Sequence, residues 1–131
     1  MQAPRYSQRQ ELFDVVFLRS QNLGFRTYDR LPSSQTEYPF VILHHPTLNS
    51  ASHGKFRMAG TLEMNIDVWG HQNDLGSHDL IMFQLEQELI KLKRLSTVYV
   101  ELLAVSPSVL KVTEGDEELL HGIIQVSYHM Y

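Results

Sequence analysis

Residues 61–69 alternate without a break: Leu62, Met64, Ile66 and Val68 share one parity, while Thr61, Glu63, Asn65, Asp67 and Trp69 share the other. Successive side chains of a strand point to opposite faces, so this period of two commits the segment to a sheet with an apolar face and a polar one. Leu62, Met64, Ile66 and Val68 are therefore assigned to the fold core. Two other segments have the spacing to cover that face. Ser7 followed by Gln10 forms a capping-box signature, and Leu12, Phe13, Val16 and Phe17 then recur at helical spacing until Gly24, which predicts a helix over about residues 8–22. Val15 and Leu18 widen its apolar surface beyond one stripe, as expected of a core helix; the functional alternative is that one edge packs against another subunit. Residues 77–94 place Ile81, Met82, Leu85, Leu89 and Leu92 on one side and Gln84, Glu88 and Lys91 on the other, which predicts a second helix.

Between and after the helices the chain is extended. Residues 25–30 and 40–45 read as strands separated by a Ser-rich loop, with Pro32 and Pro39 biasing Leu31 and Tyr38 toward extended geometry. Residues 98–105, 109–113 and 120–130 are β-branched and aromatic. Ser106-Pro107-Ser108 and the run 114–118 divide them, so they predict an antiparallel meander. The order helix, strands, helix, meander is that of an α+β sandwich, two helices packed on a mostly antiparallel sheet. At 131 residues, with 43% hydrophobic and 20% charged side chains, the length and composition fit one domain over residues 1–131 with a core that needs no staples.

Composition narrows function. The absence of cysteine removes disulfides, thiolate nucleophiles and Cys-based zinc sites, and fits a reducing compartment. Met1-Gln2-Ala3-Pro4-Arg5 has no apolar run behind its charge and no segment reaches the ~18 apolar residues of a membrane helix, so neither a signal peptide nor a membrane is expected. A net charge of −4 argues against an ordinary duplex-DNA binder. The nearest basic cluster, Lys91, Lys93 and Arg94, ends a predicted helix that opens near Asp79, which is the order that complements a helix dipole.

Seven histidines and fifteen acidic residues supply raw material for a metal or acid-base site, but spacing works against convergence. His44 and His45 are neighbours on a strand and point to opposite faces. Glu63 and Asp67 share a face but lie ~13 Å apart, too far for a two-metal site. His121 and His129 are roughly twice that distance apart. There is no H-E-x-x-H, G-x-S-x-G, P-loop or G-x-G-x-x-G, so neither a catalytic residue nor a metal or other cofactor is assigned. The acidic run Glu114, Asp116, Glu117 and Glu118 around Gly115 lacks the ligand pattern of a calcium loop and reads as a solvated hairpin tip. The functional alternative is electrostatic, a negative surface to which a polyanion does not adhere. Residues 46–60 make a connection longer than most in a compact domain. Asn49, Ser52, Lys55, Phe56, Arg57 and Met58 mix polar, basic and apolar side chains there, the chemistry of a loop that orders against a partner.

Several short blocks in fixed order complete the reading: Tyr28-Asp29-Arg30-Leu31-Pro32, then Tyr38-Pro39-Phe40-Val41-Ile42-Leu43, the Lys55-containing connection, residues 61–70 ending in Ile66-Asp67-Val68-Trp69-Gly70, and His121-Gly122-Ile123-Ile124. Over about residues 25–130 this arrangement resembles the tail-terminator proteins of long-tailed siphophages, also called tail-completion or head-tail joining proteins. The resemblance implies the same α+β architecture and a structural virion protein at the tail-neck junction, put together in the host cytoplasm. It implies a hexameric ring of this chain that caps the tail tube, meets the head-completion or connector protein and leaves a channel for the genomic DNA. It brings no catalytic residues. The alternatives are a neck connector that also forms a ring, a small enzyme with a dispersed site, and a monomeric cargo- or peptide-binding module. Metal binding or turnover by the monomer would favour the enzyme, and a monomer without a virion partner the module.

Overall fold

A computed structural model describes residues 6–49 and 60–131. The first helix, α1 (Gln8–Asn22), starts and stops on local signals. Ser7 Oγ accepts from the Gln10 backbone N–H at 3.1 Å, satisfying one of the free donors of the first turn. The reciprocal half of the capping box is absent, because the Gln10 amide bonds to Asp14 instead at 2.8 Å. At the other end Gly24 takes a φ of 92°, and the Gly24 and Phe25 N–H groups donate to Gln21 and Ser20 carbonyls. That pair of bonds is a Schellman motif, and its left-handed residue is the reason a glycine stands there.

Six strands form one sheet: β1 (Thr27–Tyr28), β2 (Phe40–Leu43), β3 (Thr47–Asn49), β4 (Gly60–His71), β5 (Val100–Glu114) and β6 (Glu117–Met130). The order is β1-β2-β4-β6-β5, with β3 also paired to β4; the β1–β2 pair is parallel and the others are antiparallel. The second helix, α2 (Leu75–Lys91), follows a 3₁₀ turn at Gln72–Asp74. Both helices lie on one face of the sheet, giving the α+β arrangement expected. The alternating strand divides as its sequence predicts. Leu62, Met64, Ile66 and Val68 are all within 2% of full burial and meet Leu12, Leu85, Leu89, Ile124 and Tyr128 in one core.

Tyr128 combines that burial with a polar duty. Its hydroxyl donates to the Leu89 carbonyl at 2.6 Å, tying β6 to the last turn of α2. Burial pushes the hydroxyl well above the ordinary phenol range, an effect that Arg19 only partly opposes. A raised folded-state value means that this contribution is complete below the unfolded phenol's pKa, ~10, and is lost as pH rises beyond it. Urea titrations from pH 8 to 11.5 should therefore show stability falling above pH ~10, and Tyr128→Phe should flatten that fall while costing ~1 kcal/mol at neutral pH.

Five expectations are corrected, all but the helix bounds by pairing that local sequence does not encode. Residues 25–30 contribute only Thr27 and Tyr28 to the sheet, and 40–45 only Phe40–Leu43. The second helix starts at Leu75 rather than near residue 77 and ends at Lys91, so Asp79 sits past its first turn, which contains no acidic residue. The connection 46–60 is not all loop: Thr47–Asn49 pair with Thr61–Glu63 as β3, and Gly60 already belongs to β4. Ser106-Pro107-Ser108 does not divide two strands, because β5 runs through it. Pro107 lies opposite Ile124 on an edge strand paired on one side only, where a missing N–H is tolerated. The irregularity is a bulge at Leu102/Ala104 instead.

Candidate functional site

The sheet face opposite the helices has no helix over it among the described residues, and register reveals its make-up. Rows across β5, β6 and β4 read Ala104, Ser127, Glu63 and Ser106, Gln125, Asn65 near the middle, so that half is small and polar. Toward the β5–β6 turn the rows become Ser108, Ile123, Asp67 and Leu110, His121, Trp69, the last continuing into Phe40 of β2. Here the face is aromatic. The Trp69 and His121 rings stack at 4.0 Å with planes 6° apart, Tyr38 stacks on Phe40 at 5.1 Å, and His71 meets Tyr38 at 4.7 Å. Phe40 and Ile42 are consequently buried on a face that alternation alone marks as polar.

Asp67 lies at the border between the two halves. His44 Nε2 approaches Asp67 Oδ2 at 2.5 Å and His121 Nε2 approaches Oδ1 at 3.0 Å, with Asp67 and His121 largely shielded and His44 half exposed. An ionised carboxylate only accepts, so both imidazoles carry their proton on Nε2. This trio was missed by spacing arguments because its members come from three segments; the only local hint was that Asp67 shares a parity with Trp69. The trio ties the end of β2 to β4 and β6. Among the described residues no group of three or more His, Asp or Glu is placed to hold a metal ion, and no helix is long and apolar enough to cross a membrane. His45, on the other parity from His44, stacks on Phe13 of α1 at 4.5 Å, so the two histidines do diverge as their adjacency requires.

The acidic residues gather at the same end of the molecule as the aromatic rows. Glu114 and Glu117 pair across a two-residue turn at Gly115-Asp116, where Gly115 alone has a positive φ, 60°, as a type II′ turn demands. Glu114, Asp116, Glu117 and Glu118 are all exposed. Partial burial, with Glu117 and Glu114 nearby, pushes the Tyr38 hydroxyl above its usual range. His71, which meets Tyr38, lines a shallow depression with Asp116, Glu117 and Glu118, so the turn and the aromatic rows form one contiguous surface. Of the connection residues, Asn49 closes β3 opposite Thr61 and is exposed; Ser52, Lys55, Phe56, Arg57 and Met58 lie outside the described residues. In the basic cluster, Lys91 sits 3.9 Å from Glu88 and Arg94 lies over the Tyr99 ring at 5.7 Å, local partners for charges of that kind.

No family model matches the chain, and no curated protein matches it. Among solved structures, a chain of the structure titled "Virion of native gene transfer agent (GTA) particle" has a similar fold, with a TM-score of 0.64 at 15% identity, covering 95% of this chain and 99% of that one.

Proposed function

We propose that this chain is a structural virion protein, not an enzyme, that assembles as a hexameric ring, caps the tail tube and joins it to the head-completion or connector protein while leaving a channel for DNA. The observation that carries the reading is the fold likeness to a chain of a virion particle along nearly the full length of both chains. The order of the blocks 28–32, 38–43, 61–70 and 121–124 supports the tail-terminator role within a virion, and the surface fits assembly. A face with a polar half and an aromatic half offers a surface for protein neighbours, and the tip beyond the aromatic half, bearing Glu114, Asp116, Glu117 and Glu118, repels a polyanion. Localisation follows from the role: host cytoplasm during assembly, then the tail-neck junction.

Native mass spectrometry of the purified protein, together with negative-stain images of tails assembled with and without it, tests the reading. A closed oligomer, and tails of uncontrolled length in its absence, are expected. A chain that stays monomeric even on tail tubes would sink it. Tails of normal length that fail to join heads would move the ring to the neck connector, which shares the virion likeness.

Within the connection 46–60, the stretch between β3 and β4 supplies a second test. A partner surface offsets the ordering entropy of such a loop by burying Phe56 or Met58, with Lys55 and Arg57 making polar contacts beside Asn49 and Ser52. The double substitution Lys55→Ala, Arg57→Ala should weaken attachment to tails, with the difference from wild type shrinking as salt screens the charges, and leave the monomer's melting temperature nearly unchanged. Normal tail completion, or an unfolded monomer, would remove the loop from the docking role.

A further inference from the structure

The two ends of the sheet differ in a way that suits them to each other. At one end β5 runs for fifteen residues with no strand on its outer side among those described, and it exposes Leu103, Val109 and Leu110. The flank of α2 above it exposes Phe83 and Ile90, both turned away from α1, which packs on the opposite flank through the Arg19–Glu88 contact. A long bare edge with apolar side chains on both faces is a template for pairing, and soluble proteins ordinarily guard such edges. At the other end β1 is only two residues long, and between it and α1 opens a cleft of about 510 Å³ lined by Phe13, Phe17, Leu18 and Tyr28. Charge distinguishes the two ends as well. β5 carries Glu101 near its start and Glu114 at its end, and its one cation, Lys111, has no ion pair among the described residues, whereas the cleft carries Asp14 and Asp29 and is lined by no cation. Arg30 pairs with Asp29, whereas among the described residues Asp14 bonds to the uncharged Gln10 amide and to no cation.

We infer that the β5 edge of one copy of this chain docks into the α1–β1 cleft of the next, so that Lys111 meets the neighbour's Asp14 and the sheets follow one another around the ring. The inference rests on the ring reading and deepens it: a closed cyclic assembly needs two different, complementary patches on every subunit, and these are the two edges of one sheet. The occupant is a second copy rather than a foreign protein because both halves of the seam, apolar edge with a cation and apolar cleft with an anion, are present on this chain. Val109 and the α2 flank meet the helix side of the cleft, while the backbone of β5 lies beside the free side of β1, a form of strand addition.

Charge exchange tests the seam. Lys111→Glu and Asp14→Lys each place like charges at every seam, so each variant alone should need at least a tenfold higher concentration to assemble than the wild type at low salt. An equimolar mixture restores opposite charges at both kinds of seam, since the two substituted side chains face each other at one and the native Lys111 and Asp14 meet at the other. It should give a ring in which the two variants alternate in equal numbers. Their mass difference makes that composition readable by native mass spectrometry. At concentrations where all three are monomeric, melting temperatures should match the wild type, since Asp14 and Lys111 are both exposed. Wild-type rings accompanied by unimpaired rings of either variant, or by a folded mixture that does not assemble, would overturn the seam while leaving the ring. A wild type that never assembles, even on tail tubes, would overturn both.

Discussion

Ile66→Ala should cost ~2 to 5 kcal/mol of folding stability, the range for deleting most of a large side chain where the surroundings cannot collapse. Ile66 is fully buried at the centre of the sheet, opposite Leu43 on β2 and Ile124 on β6, with both helices above it. Its neighbours are held by two strand ladders and cannot move into the space. The control is one residue away: Asn65→Ala changes the other, exposed face of the same strand and should stay within about 0.5 kcal/mol. Urea unfolding of the two variants decides the matter, and equal midpoints would mean that the faces of β4 are reversed.

That contrast marks how far the sequence could be read. The faces of β4, the bounds of α1 and the Gly24 stop were legible because each rests on residues close together: alternation, an N-cap serine and a left-handed glycine. What was not legible depends on partners far along the chain. Ser106-Pro107-Ser108 has the composition of a turn, and only the edge position of β5 permits a strand to continue through it. Thr47–Asn49 carry no strong strand signal and become β3 because β4 is long enough to offer them an unpaired stretch beyond the end of β2. The uncovered face hid the most. Trp69 and Asp67 were placed on it correctly by parity, but the stacking of Trp69 on His121 and the bridging of Asp67 by His44 and His121 need a register set between β4 and β6. Spacing arguments that compare histidines within one segment cannot see a site shared by three.

Gly122 carries the other large expected effect, and it comes from a contact that neither periodicity nor turn chemistry announces. Gly122 occupies a core-facing position of β6, opposite Val68, where the pattern of Leu120, Ile124 and Val126 would otherwise put a large apolar side chain. The space is taken from above by α2. A methyl at residue 122 would stand 2.5 Å from Met82 Sδ and 2.8 Å from His78 Cε1, both well inside van der Waals contact. Met82 can swing its flexible end aside. His78 has less freedom, since its ring is buried and Nε2 donates to the Val68 carbonyl at 2.8 Å, while Gly70 leaves room for the ring's other edge at 3.1 Å. Gly122→Ala must therefore either push α2 off the sheet or break that hydrogen bond, and should cost ~1 to 3 kcal/mol. Combining it with His78→Ala frees the space, so the pair should be at least ~1 kcal/mol less damaging than the sum of the single changes. A double-mutant cycle followed by thermal melts reads that coupling directly. Strict additivity would mean that Met82 alone absorbs the methyl and that His78 does not fix how closely α2 approaches the sheet.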